Sequence, residues 1–570
     1  MNISVADIHA KRDEITGPGG FFELEDLVID GFTYPVFKHA PKTAIEVIQS
    51  SRNHGDLEFI VYEDERLTFN DYFASVDALA ASLQNELGVT KGDRVALAMR
   101  NNPAWAISFA AATLIGAVVV PINSWGKTEE LMYAVTDSGA TVLICDPARL
   151  KLIVDKLSEL DAYVVVVGHD ESFSATAKLL SFPALLAAAQ GQEYKVDQAS
   201  PEDITLILYT SGSTGFPKGV VHRHIAVTQS LMNMMYLGFL VMELEGAREF
   251  RGGASRETPM LTVPLFHCTG LLSGYYIPLQ MGHKAVMMYK WDSDKALQLI
   301  QDEKVTGLSS VPAIVQDLLS SPEFDKYDTS SLIRVAAAGA ATPAGLPELI
   351  MEKIGNPSRS AGFGMTETMA LGSAMSGIIF DMKYDTSGLV SPIVKFRSVD
   401  AAGNVLSQGE PGEIELYGVT ITPGYWEKPE ANASTFDENR WMKTGDVGMV
   451  DADEFVHITG RIKEIVIRGG ENIYPGEIEF VAYELDAVHE VVVFGEPDAA
   501  LGEELVMVAY LRPGAELTEA ALRIALNNRL ASYKVPRIIR FSQEPLPRNA
   551  SEKLHKLKVR EAYLEDKAAT

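Results

Sequence analysis

Leu206-Ile207-Leu208-Tyr209-Thr210-Ser211-Gly212-Ser213-Thr214-Gly215-Phe216-Pro217-Lys218-Gly219 runs from three branched apolar residues straight into glycines and hydroxyls. The apolar part has strand length and no polar alternation, as a strand buried on both faces requires. Val95-Ala96-Leu97-Ala98, Val142-Leu143-Ile144 and Val164-Val165-Val166-Val167 are runs of the same kind. Helical patterns over 73–87 and 128–137 lie between them. Strands of this type alternating with helices predict an α/β fold with parallel sheets and crossover helices. No fixed-period repeat or low-complexity tract interrupts the pattern.

After about residue 400 the texture changes. Gly403-Asn404, Gly409, Pro411-Gly412 and Pro423-Gly424 punctuate short alternating segments, which predicts a small antiparallel unit. Beyond Gly460-Arg461-Ile462-Lys463 the chain starts afresh. Val491-Val492-Val493-Phe494 and Val506-Met507-Val508-Ala509-Tyr510 read as strands, and Leu522, Leu526 and Leu530 mark one face of a helix that Thr518 caps. The expected boundary is Lys463, giving a large domain over 1–462 and a small α+β domain over 463–570.

The 570 residues carry 49 basic and 77 acidic side chains, a formal net charge of −28. Such a balance excludes a general nucleic-acid or anionic-membrane binder, which needs a positive footprint. A hydrophobic fraction of 47% excludes a disordered chain. Cys145 and Cys268 form neither a CxxC pair nor a disulfide framework, and a reducing cytoplasm is expected. Residues 1–20 carry no apolar signal region. The uncharged stretch 105–122 is broken by Gly116 and ended by Pro121, so a buried helix followed by a strand is expected there, not a span of about 20 residues. The chain is expected to lack an integral membrane segment.

The glycine-rich run has a chemistry of its own. Gly212, Gly215 and Gly219 let backbone N–H groups turn into one concavity. The hydroxyls of Thr210, Ser211, Ser213 and Thr214 add donors, and Lys218 adds charge. Loops of this composition wrap polyphosphates. The Walker spacing G-x-x-x-x-G-K-[ST] is absent. A plain flexible linker is excluded by position, since the run is expected to join a core strand to a helix.

The run resembles the phosphate-loop signature of the ANL superfamily, which comprises acyl- and aryl-CoA synthetases, adenylation domains of peptide synthetases and firefly-type luciferases. Five further motifs follow in the family's order. Ala338-Gly339-Ala340-Ala341 resembles its adenine-contacting turn, and Gly362-Phe363-Gly364-Met365-Thr366-Glu367 its aromatic-G-x-T-E motif. Lys443-Thr444-Gly445-Asp446 resembles its ribose-binding motif, and Gly460-Arg461-Ile462-Lys463 its hinge. Pro547-Arg548-Asn549-Ala550-Ser551-Glu552-Lys553 resembles the loop with its catalytic lysine. The family pattern there is Ser-Gly-Lys; Glu552 stands in place of the glycine and Asn549 in place of the usual threonine.

The resemblance implies ATP, Mg²⁺ and CoA as the molecules handled. Lys553 would bridge the substrate carboxylate and the α-phosphate. Thr366 and Glu367 would offer an oxygen pair to Mg²⁺, a hard cation that bridges phosphates. Asp446 would accept both ribose hydroxyls, with Arg461 a fixed fork beside it. His267, in Pro264-Leu265-Phe266-His267, aligns with the aromatic gate beside the acyl pocket. Lys463 would be the pivot, and Gly469 and Gly470 would line a pantetheine tunnel after rotation. His222-Arg223-His224 looks like a metal pair, but residues two apart on a helix face different ways, and no cysteine or acidic partner follows at ligand spacing. No G-x-S-x-G elbow is present.

By the same resemblance the acyl pocket lies among 232–236, 309–315, Ala337-Ala338-Gly339 and Phe363. These stretches hold no arginine or lysine for a second carboxylate, so a monocarboxylic acid of medium or long chain, or one bearing a bulky ring, is expected. The implied activity is AMP-forming acyl-CoA synthesis in the cytoplasm. The alternatives are an enzyme loading a carrier-protein thiol, a non-catalytic acyl-nucleotide binder made inert by Glu552, and, remotely, a luciferase-type oxidase. A homodimer is left open.

Overall fold

The computed structural model describes every residue except 1–2, 169–177, 211–216, 247–255, 338–344, 356, 470, 499–500, 549–552 and 570. Ser211, Gly212, Ser213, Thr214, Gly215, Gly339, Ala340, Ala341, Gly470 and Glu552 lie outside the described residues.

Two sheets carry the large domain. The first has seven strands in the order Gly219–Arg223, Ile204–Tyr209, Val118–Pro121, Arg94–Ala98, Val142–Cys145, Tyr163–Val166, Leu179–Ser181. The second has six, ordered Arg334–Ala337, Gly307–Ser310, Pro259–Leu261, Ala285–Met287, Glu58–Tyr62, Glu65–Thr68. Both are parallel except at one edge, where Gly219–Arg223 and Glu65–Thr68 run antiparallel to their neighbours. The predicted strands of the first sheet are all present, buried on both faces as their unbroken apolar runs demand.

Helices Phe69–Ala81 and Pro103–Leu114 contribute to one core cluster that takes side chains from both sheets. Asn102 caps the second helix by accepting from Trp105 N–H at 2.9 Å, and Pro103 opens it at a position that needs no donor. Gly116, at φ +79°, turns the chain out of it into the strand Val118–Pro121. The uncharged stretch thus resolves into a core helix and a core strand. Trp105 stacks on Phe109 at 5.1 Å with Tyr275 edge-on to both. Each such ring stabilises the fold by about 1.5–3 kcal/mol through burial alone.

Among the described residues one helix is long and apolar enough to cross a membrane, His224–Leu244, with 67% of its most apolar window buried inside the fold. Its Tyr236 packs against Phe22 and Phe37 at 5.7 and 5.8 Å, beneath the hairpin formed by Leu24–Ile29 and Phe32–Phe37. It is a core helix of the α/β fold.

The predicted antiparallel unit is a four-stranded sheet of Val394–Val399, Gly412–Gly418, Met442–Val450 and Val456–Arg461. A last sheet is built on the long pair Val488–Asp498 and Gly502–Leu511, with Ile538–Ser542 added in parallel. Thr518 caps Glu519–Asn527, whose Leu522 and Leu526 are buried. Leu530 is buried too, but beyond the helix end.

Candidate active site

Two strands deliver the glycine-rich run. Ile204–Tyr209 and Gly219–Arg223 pair antiparallel with Tyr209 opposite Gly219, and Thr210 N–H donates to Lys218 O at 3.0 Å, closing the loop at its base. The run therefore joins strand to strand, not strand to helix as the sequence reading had it; the helix begins only at His224. Gly219-Val220-Val221 is as apolar as any core strand, and the two histidines beyond it obscure that. His222 lies within this strand, buried against the Thr366 backbone, and His224 Nδ1 accepts from Ala44 N–H at 3.2 Å. Burial pushes both imidazoles down to about 4, and the two side chains belong to different elements, His222 to the strand and His224 to the start of the helix.

Thr366 and Glu367 sit in a short 3₁₀ turn that follows strand Ser360–Phe363. Met365 N–H donates to Thr368 Oγ1 at 3.0 Å and Gly372 N–H to Phe363 O at 2.9 Å, folding the turn back on itself. Gly364 makes that possible: a Cβ there would lie 1.5 Å from Ala370 O. Gly362 stands opposite Ala374 in the strand pair, and Phe363 lies 6.2 Å from the ring of Phe396.

Asp446 and Arg461 face each other in register across Met442–Val450 and Val456–Arg461, with Arg461 Nε donating to Asp446 Oδ1 at 3.1 Å. Asp446 is 4% exposed, and burial raises its carboxyl above the usual range against the pull of Arg461. Lys463 follows in the exposed turn Ile462–Glu464. Gly469, at φ +61°, caps a hairpin of the last sheet and donates its N–H to Leu501 O at 2.8 Å, on a different part of the small domain.

Lys553, in the small domain, lies within electrostatic reach of Arg461, Cys268 and His267. Its loop is closed by His555 N–H donating to Pro547 O at 2.7 Å. Lys556, just beyond, bridges Glu464 of the Ile462–Glu464 turn at 2.7 Å and Glu479 at 3.0 Å. Surrounding protein and the nearby charge of Arg461 hold the Lys553 ammonium below the ordinary lysine value. Burial, and then the charge of Lys553, push His267 down to about 4, leaving it neutral beside the ring of Phe266 at 4.4 Å. Cys268, pushed up to about 11 chiefly by burial, feels both Lys553 and Glu367. Lys553, His267, Glu367, Arg461 and Asp446 thus share one electrostatic neighbourhood.

Sequence reasoning passed over three residues here. Asn101 pins the His267 loop, donating to Val263 O and accepting from Leu265 N–H at 3.0 and 2.9 Å. Cys268 lies inside the cleft, and Tyr425 donates its hydroxyl to Glu367 Oε1 at 2.9 Å.

Of the residues named for the acyl pocket, Ala338 and Gly339 lie outside the described residues. Met232 and Tyr236 are in the core beneath the N-terminal hairpin, Val315 is buried in a separate cluster, and Ser309 is exposed. A cavity of about 710 Å³ lies elsewhere, bordered by Arg12, Pro392, Phe396 and Trp441.

With this geometry in place, the comparisons with known proteins are decisive. The AMP-binding enzyme model matches residues 47–426, and the AMP-binding enzyme C-terminal domain model matches 477–553, ending on Lys553. The chain belongs to the AMP-binding enzyme family. It is 32% identical over 496 residues to a feruloyl-CoA synthase of an Amycolatopsis species, spanning 86% of this chain and 94% of that protein. To the long-chain-fatty-acid–CoA ligase FadD13 of Mycobacterium tuberculosis it is 30% identical over 511 residues, 88% of this chain and 94% of the relative. The anthranilate CoA ligase AuaEII, solved with anthranoyl-AMP, superposes with a TM-score of 0.81 at 26% identity, covering 92% of this chain and 98% of that one. As an AMP-binding enzyme, the chain shares its fold with proteins that hold an acyl-adenylate.

Proposed function

We propose that this chain is an AMP-forming acyl-CoA ligase. A carboxylate attacks the α-phosphorus of ATP, releasing pyrophosphate and forming acyl-AMP; the CoA thiol then attacks the acyl carbon and AMP leaves. What supports the reading most is that Lys553, from the small domain, lies within electrostatic reach of Arg461, the partner of Asp446, and acts with Glu367 on Cys268.

Each residue has a task that its chemistry suits. The Lys553 ammonium meets the charge that builds between carboxylate and α-phosphate. Buried Asp446 accepts from the ribose hydroxyls with the oxygen capacity that Arg461 leaves it. Neutral His267 shapes the wall beside the acyl group without competing for the carboxylate. Among the described residues no group of three or more His, Cys, Asp or Glu side chains could hold a metal alone. One carboxylate and one hydroxyl, Glu367 and Thr366, fit an ion that arrives with the phosphates. An Mg²⁺ ion held by these two residues would supply charge neutralisation for adenylyl transfer and for the departing pyrophosphate.

The finer reading takes Lys463 as the pivot that separates the domains 1–462 and 463–570, and Gly469 with Gly470 as part of the thiol channel after rotation. The acid is of medium or long chain or carries a ring, CoA is the acceptor in preference to a carrier-protein thiol, and the cytoplasm is the site of action. The relatives act on both fatty and aromatic acids by their names, which supports that range. The test is pyrophosphate release over a panel of acids, with CoA and carrier protein offered separately. Acids of about eight carbons or more, or ring-bearing acids, should exceed acetate, since each buried CH₂ contributes about 0.8 kcal/mol. A highest kcat/KM for acetate, or thioester formed only on the carrier, would overturn the substrate reading.

A further inference from the structure

The segment 419–426 clamps two parts of the cleft together. Val221 N–H donates to Gly424 O at 3.1 Å, Trp426 N–H to Gly219 O at 2.8 Å, and Thr422 Oγ1 to Val221 O at 2.7 Å, all on the strand that leaves the glycine-rich run. Thr422 N–H donates to Glu367 O at 2.8 Å, which adds the 3₁₀ turn.

Tyr425 stands at the joint. Its hydroxyl donates to Glu367 Oε1 at 2.9 Å, and the ammonium of Lys218 lies over its ring, 4.7 Å from the centroid. Asn432 fixes its backbone from both sides, accepting from Tyr425 N–H at 2.6 Å and donating to Tyr425 O at 3.1 Å.

We infer that Tyr425 is a positioning residue for ATP activation: its hydroxyl orients the Glu367 carboxylate while its ring holds the Lys218 ammonium, setting the two charges apart before the nucleotide binds. The two contacts suit that task for different reasons. A hydrogen bond to one carboxylate oxygen fixes the side chain and leaves the other oxygen for a cation. A ring face attracts an ammonium without neutralising it, and all three N–H donors stay available to phosphate. A carboxylate partner for Lys218 would occupy those donors and compete with the phosphates.

The inference rests on the proposed function, and the test separates the two. Tyr425→Phe removes only the hydroxyl; Tyr425→Leu removes hydroxyl and ring face. Two readouts are taken on the full chain: calorimetric binding of ATP without Mg²⁺, and the Mg²⁺ concentration giving half-maximal pyrophosphate release. For Tyr425→Phe, the Mg²⁺ requirement should rise about tenfold, the scale of losing a hydrogen bond to a charged group, with Mg²⁺-free ATP affinity unchanged. For Tyr425→Leu, Mg²⁺-free ATP affinity should also fall by roughly two- to fivefold, the scale of one exposed cation–π contact. Asn432→Ala, which touches neither charge, should shift both readouts the same way by less. Wild-type values in both Tyr425 variants, or an equal loss in both readouts from Tyr425→Phe alone, would overturn the inference while an active wild type preserves the function. A wild type that neither binds ATP nor releases pyrophosphate would overturn the function and this inference with it.

Discussion

At Lys553 burial and the charge of Arg461 act in the same direction, each disfavouring the protonated amine. On the proposed function adenylation needs that proton, because the ammonium is the charge assigned to stabilise the transition state. The active form is therefore present at low pH and lost as pH rises through a pKa below the ordinary lysine value. The kcat/KM profile for pyrophosphate release should show this basic limb. Arg461→Gln removes the second cause and should move the limb upward, whatever it does to the maximum rate, while burial keeps it below that of a free lysine. A limb that stays in place in Arg461→Gln would show that the guanidinium does not act on Lys553.

The 3₁₀ turn that carries Thr366 and Glu367 is an element fixed by one close approach, that of Gly364 to Ala370 O. Met369 and Ala370 both hold positive φ, 47° and 90°, to complete the reversal. A methyl group on Gly364 must push the turn open. Gly364→Ala should cost about 1–3 kcal/mol in denaturant unfolding, the range for overpacking, and should lower kcat/KM for ATP more than tenfold by displacing Glu367. Wild-type stability and wild-type kcat/KM together would contradict the close-approach account. Such turns also mark where sequence reading succeeds and where it stops. The core strands were legible because burial on both faces leaves an unbroken apolar signature, as at Val142-Leu143-Ile144. The helix in the uncharged stretch was legible from Gly116, which breaks the stretch, and Pro121, which ends it; its cap at Asn102 was not. Gly219–Arg223 was misjudged because His222 breaks that signature, although it is buried like its apolar neighbours. Tyr425 was invisible because its partner Glu367 is 58 residues away in sequence, and only packing of the 419–426 segment brings them together. The acyl pocket was legible only by resemblance; Tyr236 and Val315 are buried, and Ala338 and Gly339 lie outside the described residues.

At the scale of the whole molecule, the small domain brings Lys553 within electrostatic reach of Arg461, and Lys556, which begins the helix Lys556–Ala569, ties that helix to Glu464 in the turn that holds Lys463. On the proposed function that arrangement is the adenylation state, and thioester formation would need the small domain to present another face. Lys463→Pro fixes φ in the turn, and the hydrogen bond from Ile465 N–H to Ile462 O survives it. This variant should keep adenylation and lose thioester formation. Lys553→Ala should do the opposite, with adenylation reduced by roughly 10²–10³, the scale of one transition-state donor. The decisive measurement is Lys553→Ala assayed for both half-reactions: pyrophosphate release from ATP and acid, and thioester formation from supplied acyl-AMP and CoA. The account predicts that the first falls by those two to three orders of magnitude and the second is retained; equal loss of both, with the fold intact, would contradict it.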